Sequence, residues 1–267
     1  MDGNPRAAAF FDLDKTIIAT SSAIAFRRPF LAEGLLTRRA MLRAAYAQLV
    51  FLMGGADEAQ TERLRVQLSR MVTGWDTGQV EAVIRQTLTE SIGPTVYAEA
   101  VALIGSHRQA GRDVVVVSAS GTELVRPIAD LVGADDVVAS HMEVVGGRYT
   151  GHIDRYVYGQ EKADAIVELA AERRYDLAAC YAYSDSITDT PMLEVVGHGS
   201  VVNPNGALRR LAEERGWDVL RFERPVSLRP FATRRSRVTA AGLVGIVGLA
   251  IAAGWTLGRM RQRPTSV

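Results

Sequence analysis

Residues Ala9 to Ser22 read AFFDLDKTIIATSS, and the order of residue types in this stretch decides the fold. An apolar run, Ala7 to Phe11, passes directly into two carboxylates, Asp12 and Asp14, and then into a hydroxyl residue, Thr16. A buried strand that ends in D-x-D-x-T carries two anions to the edge of a core, where like charges repel and desolvation is costly. The rest of the chain must supply cations, or hold an ion that does the same.

Outward from this stretch, β-branched runs recur at the spacing of an α/β protein: Asp113–Val117, Val137–Ser140, Ala179–Tyr183 and Ser200–Val202. Helix-like segments such as Thr122–Leu131 and Lys162–Arg173 separate most of them, which predicts a mostly parallel sheet covered on both faces. Four consecutive valines, Val114 to Val117, mark a strand buried on both sides. Met142–Arg155, with Gly146-Gly147 between two alternating runs, predicts a small hairpin. The interval from about Ser21 to Tyr97 breaks the rhythm. Its amphipathic patterns, including Arg38–Met53 and Ala59–Met71, predict an all-helical insertion directly after the first strand. The expected class is α/β: a Rossmann-like parallel sheet from residues 1–20 and 98–223, with a helical cap from residues 21–97 overhanging the carboxylates.

Composition narrows the function. A chain of 267 residues can bury a full core, and its one cysteine, Cys180, excludes an internal disulfide framework and fits a reducing compartment. Cys180 falls in a strand pattern and is expected in the core, whereas His107, His141, His152 and His198 lack metal-ligand spacing and read as surface or loop residues. The net charge is +1, yet no acidic residue follows Glu223 while eight arginines do, so the first 223 residues carry −7. No basic stripe interleaved with aromatics crosses that acidic part, which argues against nucleic acid as a partner.

The basic tail has its own pattern. Residues 224–237 form a proline- and arginine-rich linker, and Val238–Gly258 is an uncharged run closed by arginines on both sides. Its length suits a helix crossing a hydrocarbon core, with Trp255 near one end. The spacing Gly254-x-x-x-Gly258 allows close helix contact and so a homodimer through the anchor. A glycine-rich helix packed on the globular part is the alternative. The expectation is a single-pass protein of the cell membrane whose catalytic part is cytoplasmic, since no export signal precedes the first strand.

In an open parallel sheet, ligands sit beyond the carboxyl ends of the strands. Four sets of residues meet that condition: Asp12, Asp14 and Thr16; Ser118-Ala119-Ser120-Gly121; Lys162, opening a helix; and Ser184-Asp185-Ser186-Ile187-Thr188-Asp189. In this order the sets resemble the four motifs of the haloacid dehalogenase-like hydrolase superfamily, specifically the phosphoserine-phosphatase-like members of subfamily IB. The resemblance spans about Ala7 to Val202, with the cap matched by position and helicity alone.

The resemblance implies roles that the chemistry supports. Asp12 would attack phosphorus and form an aspartyl-phosphate, and Asp14 would protonate the leaving oxygen and then deprotonate the attacking water. Lys162 would neutralise charge on nucleophile and phosphate, while Thr16, Ser118 and the backbone N–H of Ala119 would hold phosphoryl oxygens. Mg²⁺ would be held by the side chains of Asp12 and Asp185 and the backbone carbonyl of Asp14, with Asp189 supporting that shell.

Two departures bear on the substrate. Phosphoserine phosphatases carry a glutamate nine positions after the nucleophile; Ser21 stands there, which weighs against phosphoserine. Arg63, Arg65 and Arg70 in the cap offer cations for an anionic group on the substrate, but charged residues on an amphipathic helix are more often its solvated face. Thr188 stands where relatives often have Asn and retains a hydroxyl donor, and Lys15, where relatives often have a small residue, reads as turned away from the phosphate. The expected activity is Mg²⁺-dependent hydrolysis of a small phosphorylated metabolite or lipid-derived phosphate. A phosphotransferase or mutase of the same superfamily is one alternative. A membrane-tethered, non-catalytic binding protein is the other, and the intact Asp12, Asp14, Lys162 and Asp185 weigh against it.

Overall fold

The structure, a computed structural model, describes residues 6–36, 66 and 69–225. Its centre is β1, Ala8–Asp12, every residue of which is buried. Parallel neighbours flank it: β2, Asp113–Gly121, on one side, and β5, Tyr181–Ser184, on the other. The full order is β4-β3-β2-β1-β5-β6-β7, where β3 is Asp136–Val145, β4 Arg148–Arg155, β6 His198–Val202 and β7 Asp218–Leu220. The β3–β4 pair alone is antiparallel.

Alternation explains why these runs read as continuously apolar. Ala9, Phe11, Val114 and Val116 enter one core, while Ala8, Phe10, Val115 and Val117 enter another on the opposite face. A strand has period two, so a central strand covered on both faces needs apolar residues at every position. Burying a side chain such as Phe10 or Phe11 contributes about 1.5–3 kcal/mol.

Among the described residues, the helices with both ends described are α1 (Ser22–Ala25), α2 (Arg27–Ala32), α3 (Thr77–Ser91), α4 (Ala98–Gln109), α5 (Thr122–Val132), α6 (Gln160–Arg173), α7 (Thr190–Glu194) and α8 (Gly206–Arg215). Local chemistry sets their ends. Asp76 caps α3 through the Gln79 N–H, Asn205 caps α8, and Gly133 closes α5 at φ 79°. The hairpin falls where the sequence places it: Val145 faces Arg148 and both intervening glycines have positive φ, the geometry of a type I′ turn.

Three expectations need correction. Ala179 belongs to a 3₁₀ turn, Leu177–Ala179, whose Ala178 N–H is held by the Asp176 carboxylate, so β5 begins at Tyr181. The edge strand β7 has no signature in the sequence, because its Asp218 and Val219 are exposed. His107 is buried in α4 and bonded to Tyr183 and Arg112, not on the surface. His141, His152 and His198 are exposed, and Cys180 is buried.

The described residues of the expected cap are mostly helical, with turns and isolated bridges at Asp76, Val96 and Tyr97, but Arg38–Met53 and most of Ala59–Met71 lie outside the described residues, as do Arg63 and Arg65; Arg70 is exposed. The far end of the cap is stitched to both sides. Ala19 N–H donates to the Thr95 carbonyl and Tyr97 N–H to that of Ile17. On the other side, residues 222–225 cross behind Tyr97: Asn203 brackets the Phe222 backbone, and Glu99 receives the N–H groups of Glu223 and Arg224 and the Arg224 guanidinium. The exposed Arg224 and Pro225 run beside the start of α4, where the Arg224 carbonyl accepts the Ala98 N–H and Pro225 bridges to Tyr97. The run 238–258 lies outside the described residues, among which no helix is long and apolar enough to cross a membrane.

Candidate active site

Register brings the sequence-predicted residues together. Asp12 pairs with Val117, so Ser118 lies just past it on one side, and Phe11 pairs with Tyr183, so Ser184 and Asp185 follow on the other. The chain winds outward from β1 through β2 and β3 on one side and, after β4, returns to lay β5 on the other, the reversal of strand order that opens a crevice in doubly wound sheets.

After Asp12 the chain turns on the Leu13 carbonyl, which accepts the N–H groups of Ile17 and Ile18 at 3.0 and 3.1 Å. Lys15 sits in the left-handed region at φ 60°, a conformation that costs a non-glycine residue about 1–2 kcal/mol. The turn buries Thr16, whose Oγ1 has no hydrogen-bond partner, an arrangement that costs about 1–3 kcal/mol. Lys15, expected to turn away, is exposed and within electrostatic reach of Asp185.

Lys162, in the first turn of α6 and 3% exposed, is the ion-pairing hub. Its Nζ lies 2.7 Å from Asp12 Oδ1 and 2.7 Å from Asp189 Oδ2. Ser184 Oγ donates to the same Asp189 oxygen at 2.6 Å and accepts the Ser186 N–H. Two carboxylates on one ammonium hold Lys162 in its charged form despite burial. Burial pushes Asp12 up to about 7, against the pull of Lys162 and with the Asp189 and Asp14 charges adding to the rise. Asp185, half-buried, is pushed up to about 6 by burial, with Lys15 opposing.

Around this centre, Asp14 accepts the Ser22 N–H on Oδ1 at 2.8 Å, and Ser118 Oγ accepts the Ser120 N–H at 3.2 Å. The Ala119 carbonyl is held by Ser140 Oγ, which also takes the Val157 N–H. Thr188 bonds to Ser186 through both hydroxyls. The sequence reading does not single out Ser22 or Ser140, and it names Ser120 and Ser184 without their roles. Small polar residues at strand ends have no signal of their own, although Ser184 directly precedes a motif that was found.

Comparison with known proteins adds four findings. The haloacid dehalogenase-like hydrolase family model matches residues 9–194. A Mycobacterium tuberculosis protein named "Probable phosphatase" is 55% identical over 250 residues, 93% of this chain and 87% of that protein. A phosphoserine phosphatase of the same organism is 33% identical, over 92% of this chain and 79% of its own length. Among solved structures, a Bordetella pertussis protein of unknown function aligns with a TM-score of 0.72 at 26% identity, covering 81% of this chain and 99% of its own.

Proposed function

Because this chain belongs to the haloacid dehalogenase-like hydrolases, we propose that it hydrolyses small phosphomonoesters through an aspartyl-phosphate formed on Asp12. It is a phosphatase of the phosphoserine-phosphatase-like kind. The observation that carries the mechanism is the buried Lys162 ammonium, 2.7 Å from both Asp12 and Asp189 at the mouth of the central strand.

Each residue then has a task. Asp12, ionised and oriented by Lys162, attacks phosphorus, and the leaving oxygen takes a proton from Asp14. Water, deprotonated by Asp14, next attacks the phosphorus of the aspartyl-phosphate and releases inorganic phosphate. Ser118 and the Ala119 N–H hold the phosphoryl oxygens, and Thr16 offers a buried hydroxyl that no protein group occupies.

Phosphatases of this family use Mg²⁺, and the residues present suit it. Four carboxylates, Asp12, Asp14, Asp185 and Asp189, gather near two ammonium groups, Lys15 and Lys162, leaving an excess of negative charge and hard oxygen donors. Among the described residues no three Asp, Glu, His or Cys side chains form a ready cage. The proposed site therefore draws on the Asp12 and Asp185 side chains, the Asp14 carbonyl and water, while Asp189 is engaged by Lys162 and Ser184. When bound, the ion would offset negative charge on the phosphoryl group.

For the substrate, Ser21 in place of glutamate favours a small phosphorylated metabolite or lipid-derived phosphate over phosphoserine. A membrane anchor at 238–258, with the catalytic part cytoplasmic, completes the proposal. A screen of phosphoserine, glycerol phosphate, lysophosphatidate, sugar phosphates and p-nitrophenyl phosphate, with and without Mg²⁺, tests it, with Asp12→Asn as blank. Turnover that ignores Mg²⁺ or survives in Asp12→Asn would overturn the mechanism, and a strong preference for phosphoserine would overturn the substrate assignment.

A further inference from the structure

Ser22 opens α1, a four-residue helix whose Ala23 and Ile24 are exposed, yet Ser22 itself is wholly buried. Its N–H donates to Asp14 Oδ1 at 2.8 Å, and its hydroxyl lies 3.0 Å from the Ser120 hydroxyl, 98 positions away. Ser120 N–H in turn donates to Ser118 Oγ at 3.2 Å. One continuous path, Asp14 to Ser22 to Ser120 to Ser118, thus joins the loop after β1, the start of α1 and the carboxyl end of β2.

We propose that Ser22 and Ser120 are positioning residues whose hydroxyl pair fixes the Asp14 carboxyl for proton transfer to the leaving group. This rests on the reading of Asp14 as the general acid. The Ser22 N–H can orient Asp14 only if the backbone carrying it is fixed, and the Ser22 side chain fixes it by bonding to Ser120. Ser120 belongs to the carboxyl end of β2, which on the proposed mechanism holds the phosphoryl oxygens, so the pair sets the separation between phosphate and proton donor. In the step concerned, the bond from phosphorus to the leaving oxygen breaks as the bond to Asp12 forms. The Asp14 proton passes to the departing oxygen. A donor misplaced by a fraction of an ångström slows only reactions whose leaving oxygen needs that proton.

The test measures kcat/KM, which reports only through the first irreversible phosphoryl transfer, for aryl and alkyl phosphates of increasing leaving-group basicity. Wild type is compared with Ser22→Ala, Ser120→Ala, the double variant and Ser120→Thr, with thermal unfolding followed for each. Ser22→Ala and Ser120→Ala should each lose about tenfold with alkyl phosphates and less than about twofold with p-nitrophenyl phosphate, whose phenolate leaves without a proton. The double variant should lose no more than either single one, and Ser120→Thr, which keeps a hydroxyl, should regain most of the loss. Equal losses across all leaving groups, or none, would overturn the inference. A wild type inactive on every ester, or an active Asp12→Asn, would instead overturn the reading of the site.

Discussion

Lys162 and Asp12 stand 150 positions apart in the chain, yet Lys162 Nζ lies 2.7 Å from Asp12 Oδ1 inside the protein. The same nitrogen meets Asp189, so one ammonium separates two carboxylates that would otherwise face each other in a poorly solvated site. The lysine therefore offsets both charges and, on the proposed mechanism, orients the nucleophile.

Lys162→Met keeps the stem of the side chain and deletes its charge. Breaking a buried pair by removing one partner costs about 3–5 kcal/mol, so the metal-free variant should unfold at lower urea concentration by about that amount near neutral pH. It should also lose nearly all turnover. Unchanged stability would show that Lys162 does not offset the two carboxylates.

The pH dependence of the metal-free protein has a defined sign at the site. Asp12 is raised from 3.8 to about 7, and Asp185 to about 6, so the native state binds more protons than the unfolded chain within that window. Their contribution to stability is present at low pH and is lost as pH rises toward 7. A cation that prefers the ionised carboxylates should reverse the loss. The rise in Tm on adding Mg²⁺ should grow from pH 5 to pH 7 and shrink in Asp12→Asn. A rise independent of pH contradicts this.

His107 contributes the opposite slope. Arg112 Nε donates to Nδ1 at 2.7 Å, so the ring proton is on Nε2 and is given to Tyr183 Oη at 2.8 Å. Burial, with the Arg112 charge adding, holds His107 down at about 4, below its ordinary 6.5. The unfolded chain takes up the proton first, so this stability is lost as pH falls through that window. His107→Leu should cost about 1–3 kcal/mol at pH 7, by removing the ring nitrogens that the Tyr183 hydroxyl and Arg112 Nε bond to, and should flatten the acid limb of the urea midpoint. A variant with the wild-type acid limb would show that His107 is not the group responsible.

The described end of the tail is bonded to the core, and the proposed anchor follows it in the sequence. Phe222 is buried and its backbone is bracketed by Asn203, so a chain ending at Arg221 should lose about 2 kcal/mol or more relative to one ending at Pro225. With 238–258 present, the protein should sediment with membranes and stay there in high salt, since screening releases only electrostatic attachment. Release by salt would contradict a spanning anchor.

How much of this was readable in the sequence depended on how local the cause was. β1 and β2 were legible because burial on both faces forces apolar residues at every position, and the Gly146-Gly147 turn because positive φ at both positions selects glycine. β7 was illegible because it completes an edge with exposed residues, and Ala179 misled because apolar content at a strand border does not distinguish a 3₁₀ turn from a strand. At the site, Asp12, Asp14, Lys162 and the Asp185–Asp189 segment were found from motif order. The bonds that join them depend on strand register between distant segments. The burial of His107 against Tyr183, and the meeting of Ser22 with Ser120, have no local signature at all.

The stereochemical course at phosphorus tests the central claim most directly. A monoester chiral at phosphorus, made as an isotopically labelled phosphorothioate, would be hydrolysed in labelled water and the configuration of the product determined. Two successive in-line displacements, by Asp12 and then by water, predict overall retention. Inversion would mean that water attacks the substrate in a single step and that Asp12 never carries the phosphoryl group.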